Sequence, residues 1–117
     1  MLKPVVWIGG AKKEYSALPQ AVQSDFGQGL YLAQKGEKAS FAKVLKGFGN
    51  AGVLELRDDQ AGETYRAVYT VQFGEIVYVL AAFHKKAKRG IDLPQHEKDL
   101  VQQRLKQARQ MHERSAR

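Results

Sequence analysis

Residues 53–83 read VLELRDDQAGETYRAVYTVQFGEIVYVLAAF, and the way this stretch divides decides the fold. Three runs rich in β-branched and aromatic residues, 53–57, 64–73 and 75–83, are separated by DDQAGE and by a tight turn at Gly74. Runs this close together pair most economically with their neighbours, so the stretch predicts a three-stranded antiparallel meander. Successive side chains point to opposite faces of a strand. Glu55 and Arg57 therefore share a face, and Arg66 lies opposite Tyr65 and Tyr69. An arginine inside TYRAVY is costly to bury alone. It must pair with a carboxylate such as Glu55, or point into a cleft.

Upstream, KPVVWIG at residues 3–9 reads as a short strand closed by Gly9 and Gly10. A short helix is expected over 12–18. Pro19 suits a first helical turn, and Val22, Phe26 and Leu30 recur every four residues, predicting a second helix over 19–34. Gly27 and Gly29 weaken it by about 1 kcal/mol each. Residues 36–52 are rich in lysine and glycine without periodicity and read as a loop. Downstream, Val101, Leu105, Ala108 and His112 form a narrow stripe on a helix expected over 94–114. A helix with one apolar seam docks less firmly than a core helix. The order of elements predicts one α+β domain over 1–117, its helices gathered on one side of the sheet.

At 117 residues the chain suffices for a single core. It has no cysteine, which excludes disulfides, thiolate metal sites and a cysteine nucleophile, and suggests a reducing compartment. No apolar run approaches the roughly 18 residues of a membrane span, so a soluble cytoplasmic protein is expected. Net charge is +7, unevenly spread: residues 84–117 hold ten Lys and Arg against four Asp and Glu, residues 1–83 nine against eight. A basic C-terminal third fits a polyanionic partner, nucleic acid or an acidic protein, as well as a merely solvated helix. The helix's apolar stripe lacks Trp and Phe, which argues against a membrane surface.

Metal chemistry finds no support, because His84, His96 and His112 lie 12 and 16 residues apart with no His-x-x-x-His pair. KGFGNAG lacks the Gly-Lys-Ser/Thr of a phosphate loop and leads into a strand instead of opening a helix. Ser16, Ser24 and Ser40 precede the sheet and none sits in a nucleophile elbow. What remains is a set of cations on the sheet. His84, Lys85, Lys86 and Lys88 follow the third run in AAFHKKAKRG, which reads either as a solvated exit or as a phosphate site beside Arg57 and Arg66. Imidazole, ammonium and guanidinium groups around one concavity would suffice to cleave RNA without metal. That reaction needs an acid, a base and fixed positive charge at the phosphorus. A histidine near its ordinary pKa serves as either acid or base. Tyr65, Tyr69 and Tyr78 read first as strand-face or core residues, and Tyr31 as structural.

VVWIGGAKKEYSALPQAVQSDFGQGLYLAQKG and KVLKGFGNAGVLELRDDQAGETYRAVYTVQFGEIVYVLAAFHKKAKRG together resemble the RelE/ParE toxin superfamily in its HigB-like, phage-derived branch. GVLELR, TYRAVY and VYVLAAFHKK before a helix that starts at a proline are the most specific parts. The resemblance implies the RelE-like mixed fold and the toxin of a type II toxin–antitoxin pair. It also implies a ribosome-dependent mRNA endoribonuclease that needs no metal or other cofactor. The implied partners are the ribosome with its mRNA and a cognate antitoxin, a helix-turn-helix protein encoded next to it, acidic where it binds. The positions carried over are Arg57, Arg66, His84, Lys85 and Lys86. With Lys88 of the same basic run added, Arg57, Lys85 and Lys88 are expected to hold RNA, while Arg66, Lys86 and His84 serve the reaction, with His84 as general acid or base and Lys85 or Lys86 as alternates. Some relatives use a tyrosine near the C-terminus, and this chain has none after Tyr78. The superfamily also holds DNA gyrase inhibitors of the ParE kind, and a non-catalytic module that chiefly binds its antitoxin is a further alternative.

Overall fold

The computed structural model describes residues 1–49, 52–86 and 93–115, with the backbone alone at Lys85 and Lys86. In chain order the elements are β1 (Val5–Trp7), α1 (Ala11–Ser16), α2 (Gln20–Gln34), β2 (Ala42–Val44), β3 (Val53–Gln60), β4 (Glu63–Thr70), β5 (Val77–Lys86) and α3 (Gln95–Ser115). The predicted meander is present as β3, β4 and β5. It is the centre of a five-stranded sheet in the order β1-β5-β4-β3-β2, with β1 parallel to β5 and the other pairs antiparallel. β2 falls within the stretch read as loop; three residues are too few for a period to register.

β3 and β4 run further than the sequence predicts and meet in a two-residue hairpin. Ala61 and Gly62 both adopt positive φ, 53° and 78°, the geometry that matches the twist of the flanking strands. β5 also extends past Phe83 to Lys86, so His84, Lys85 and Lys86 lie within the paired strand and not beyond it.

The helices do not gather on one side. α1 and α2 cover one face, where Val22, Phe26 and Leu30 pack on Leu54, Leu56, Tyr65, Ala67 and Tyr69. α3 covers the other, where Val101, Leu105 and Ala108 pack on Val53, Val68, Tyr78 and Leu80. The reason is in β5: VYVLAA is apolar at every position, as a strand buried on both faces must be. Tyr65, Tyr69 and Tyr78 are core residues, and burial pushes the Tyr69 phenol up to about 12. Tyr31 is half exposed, with the Lys35 ammonium 5.6 Å from its ring centre, so it contributes little to the core.

Gly29 is fixed by packing. A Cβ there would come within 2.8 Å of Leu56 Cδ2 and 3.2 Å of Phe41 Cζ, so its lack of a side chain lets α2 approach β3 closely.

Candidate nucleic-acid interface

A bulge in β5 governs the site. Val68 pairs with Ala81 but Tyr69 pairs with Val79, leaving Leu80 as an extra residue. Leu80 and Ala81 consequently both join the α3-side core, and the alternation of faces is reversed beyond them. Phe83, opposite Arg66, lies on the α3 side, whereas His84, opposite Tyr65, lies on the α1–α2 side. The expected single concavity therefore divides. Arg57 and Arg66 stand on the α3 side. His84 stands behind them, stacked on Tyr65 at 4.6 Å between ring centres, with its Nε2 paired to Glu63 Oε1. Lys85 and Lys86 pair through their backbones with Thr64 and Glu63, and Lys88 lies outside the described residues.

Arg57 and Arg66 are directly opposed across β3 and β4, a repulsive arrangement unless carboxylates balance it. Glu55 Oε2 lies 3.5 Å from Arg66 Nη1, the pairing predicted from the sequence, and Asp59 Oδ1 lies 3.6 Å from Arg57 Nε. Both Glu55 and Arg66 are nearly fully buried, with side chains 3% and 8% exposed. Burial pushes the Glu55 carboxyl above the usual range, and the opposing pull of Arg66, Arg57 and Lys43 does not reverse it. Glu97 of α3, itself buried, adds to the upward shift.

Glu55 is the inner wall of a cleft of about 350 Å³ between β2 and the start of α3. Lys43, Lys46 and Lys98 line it with Phe48 and Leu93. Three ammonium groups around a buried carboxyl, itself paired to the Arg66 guanidinium, form a positively charged concavity containing one group suited to proton transfer. Sequence reasoning treated Glu55 only as a counter-ion and assigned Lys43, Lys46 and Lys98 to a loop and a solvated helix. The only sequence signal for the cleft was their charge.

Arg57 also lies where β2 has ended, so it reaches a second cleft of about 310 Å³, shared with Asp25, Gln28, Phe41 and Asp58. Gln60 Nε2 donates to Asp58 Oδ2 at 3.0 Å and to Asp25 Oδ2 at 3.3 Å. Partial burial, and then the hydrogen bond with Asp25, pushes the Asp58 carboxyl up. Among the described residues, no group of three His, Asp or Glu could hold a metal ion, and no helix is long and apolar enough to cross a membrane.

The sheet order, the helical hairpin on one face and the single long helix on the other are those of a RelE-like protein. The toxin RelE of E. coli, solved free with two arginines substituted, is similar over 92% of this chain and 98% of that one, with a TM-score of 0.60 and 17% identity. The RelBE2 toxin–antitoxin complex of Mycobacterium tuberculosis holds a chain that is 18% identical, covering 73% of this chain and all of that one at a TM-score of 0.49. No curated protein matches the chain significantly. The fold is thus that of the RelE/ParE-like toxin superfamily. The sequence profile of the phage-derived protein Gp49-like family matches residues 13–106, and the chain belongs to that family.

Proposed function

We propose that the protein is the toxin of a type II toxin–antitoxin pair and, like HigB-type toxins, a metal-independent endoribonuclease that cleaves mRNA on the cytoplasmic ribosome. The observation that carries this reading is the cleft on the α3 side. Lys43, Lys46 and Lys98 stand around it over the buried Glu55–Arg66 pair, with Arg57 opposite Arg66 on the neighbouring strand. Fixed cations in a partly desolvated site are what charge on a pentavalent phosphorus requires. They also suit the first step of holding an RNA backbone.

Arg57, Lys85 and Lys88 are proposed to hold RNA, and Arg66 and Lys86 to stabilise charge in the reaction. Two groups compete for proton transfer: His84 by resemblance, and Glu55 by its place in the cleft. A carboxyl whose pKa is raised by burial is better matched to proton transfer than an ordinary carboxylate. The antitoxin is proposed to be a helix-turn-helix protein, acidic where it meets this basic surface.

The test is purified protein added to a translating extract, followed by primer extension across the message. Cuts within translated codons support the reading. Intact message at protein levels that stop growth, together with loss of DNA supercoiling by gyrase, would transfer the function to the ParE-like alternative.

A further inference from the structure

A groove of about 430 Å³ runs along α3, lined by Asp99, Gln102, Gln103, Leu105, Lys106 and Arg109. It begins one residue after Lys98, which lines the cleft over Glu55, so the two concavities are adjacent. Lys98, Gln102, Lys106 and Arg109 are spaced by four, four and three residues and lie along one flank of the helix. At a rise of about 1.5 Å per residue, Lys98 and Arg109 are about 16 Å apart, enough for several phosphates of an extended strand.

Arg109 is held in place, its guanidinium 5.7 Å from the centre of the Phe73 ring. The one anion of the lining, Asp99, accepts a hydrogen bond from Gln95 Nε2 at 2.9 Å. Leu105 is the groove's one apolar residue. A protein partner would be expected to find a larger apolar centre with aromatic anchors. Three cations along one flank, with Gln102 and Gln103 among them, fit a sugar–phosphate backbone better.

We infer that this flank of α3 is a second, non-catalytic binding track that carries single-stranded RNA away from the cleft, with Lys106 and Arg109 each neutralising a phosphate. The inference rests on the RNA-cleaving reading above and adds the path of the strand. It makes binding depend on length: an RNA confined to the cleft does not feel the track, and a longer one does.

The test compares the wild type with the Lys106→Gln/Arg109→Gln double variant. Fluorescence anisotropy is read over a salt series with a labelled trinucleotide and with a single-stranded RNA of about nine nucleotides, within the usual range of single-strand site sizes. The double variant should bind the trinucleotide as the wild type does. For the longer RNA it should bind more weakly, and the slope of log affinity against log salt should fall in magnitude by about 1.4, two contacts at about 0.7 each. Lys12→Gln/Lys13→Gln, which removes two exposed cations of α1, is the control for net charge and should change neither.

Equal affinity and slope for the longer RNA in the double variant, with wild-type binding intact, would overturn the track and leave the cleft reading standing. No RNA binding by the wild type would overturn the track and leave the ribosome-dependent reading of the cleft to the primer-extension test. A polyglutamate peptide bound as tightly as the RNA, and equally weakened by the double variant, would assign the groove to an acidic protein and overturn the inference. Both substituted side chains are exposed, so matching thermal melts are expected for all three proteins.

Discussion

Arg104 of α3 and Glu14 of α1 meet in a two-pronged ion pair, Nη1 to Oε1 at 2.7 Å and Nη2 to Oε2 at 2.8 Å. β1 pairs with β5 only as far as Val79, and the side-chain pair takes over the strand edge beyond it. Arg104 Nη1 also donates to the Leu80 carbonyl at 3.0 Å, and the Ala82 N–H donates to Glu14 Oε1 at 3.2 Å. The bulge at Leu80, which sets the face of every later residue in β5, is thereby tied to both α1 and α3.

Arg104→Ala should destabilise the fold by about 2–3 kcal/mol. That is below the full penalty for breaking a buried pair, because Glu14 is 29% exposed and can recover some water. A urea titration would show the midpoint falling with little change in slope. A shift under half a kcal/mol would make the pair incidental to the docking of α3.

Gly27 and Gly29 should respond oppositely to alanine. Gly29→Ala places a Cβ against Leu56 and Phe41 and should cost about 1–3 kcal/mol by overpacking. At Gly27 the nearest atom would be Tyr15 Oη at 3.5 Å, an ordinary contact, so Gly27→Ala should gain up to about 1 kcal/mol from helix propensity. Thermal melts of the two variants should move to opposite sides of the wild type.

Ala61 is a non-glycine residue in the left-handed region, at φ 53°. Ala61→Gly should relieve about 0.5–1 kcal/mol of Cβ strain, less the entropy glycine returns to the unfolded chain. A higher melting temperature with an unchanged β3–β4 register by NMR would confirm it.

Much of the fold is legible because its signals are local. The meander follows from three β-rich runs and their turns, and α2 from Val22, Phe26 and Leu30, all three of which are buried. The bulge is not legible, since VLAAF is apolar throughout, with no alternation to break, and no glycine marks the extra residue. That single residue moves His84 away from Arg66, so the division of the expected cations between two faces was not legible, and neither was the gathering of Lys43, Lys46 and Lys98 around Glu55. Glu14 and Arg104 are likewise ordinary surface charges in sequence, and only the approach of α1 to α3 makes them partners.

Asp58 gives a pH dependence with a definite sign. Its carboxyl is raised in the folded protein, so the native state holds a proton that the unfolded chain releases at a pH near 3.9. The associated stability is present below that pH and is lost as pH rises through the higher folded value. Asp58→Asn keeps a donor for Asp25 and removes the titration. Its melting temperature should exceed that of the wild type at neutral pH, with the gain disappearing near pH 3. A gain independent of pH would mean that packing, and not the shared proton, is responsible.

Glu55→Gln and His84→Ala separate the two candidates for proton transfer. Glu55 lies in the cleft with Lys43, Lys46 and Lys98, while His84 faces the opposite side of the sheet against Tyr65 and Glu63. If the scissile phosphate sits in the cleft, Glu55→Gln should slow single-turnover RNA cleavage by about 100-fold or more, the usual scale for losing a general acid or base. Glutamine has the same shape and can still accept from Arg66, so the melting temperature serves as a check that the loss is chemical. His84→Ala should then retain cleavage within a few-fold. The reverse outcome, full activity in Glu55→Gln and loss in His84→Ala, would place the reacting phosphate at the β4–β5 end of the sheet. Arg66 would then act on it only from the far face.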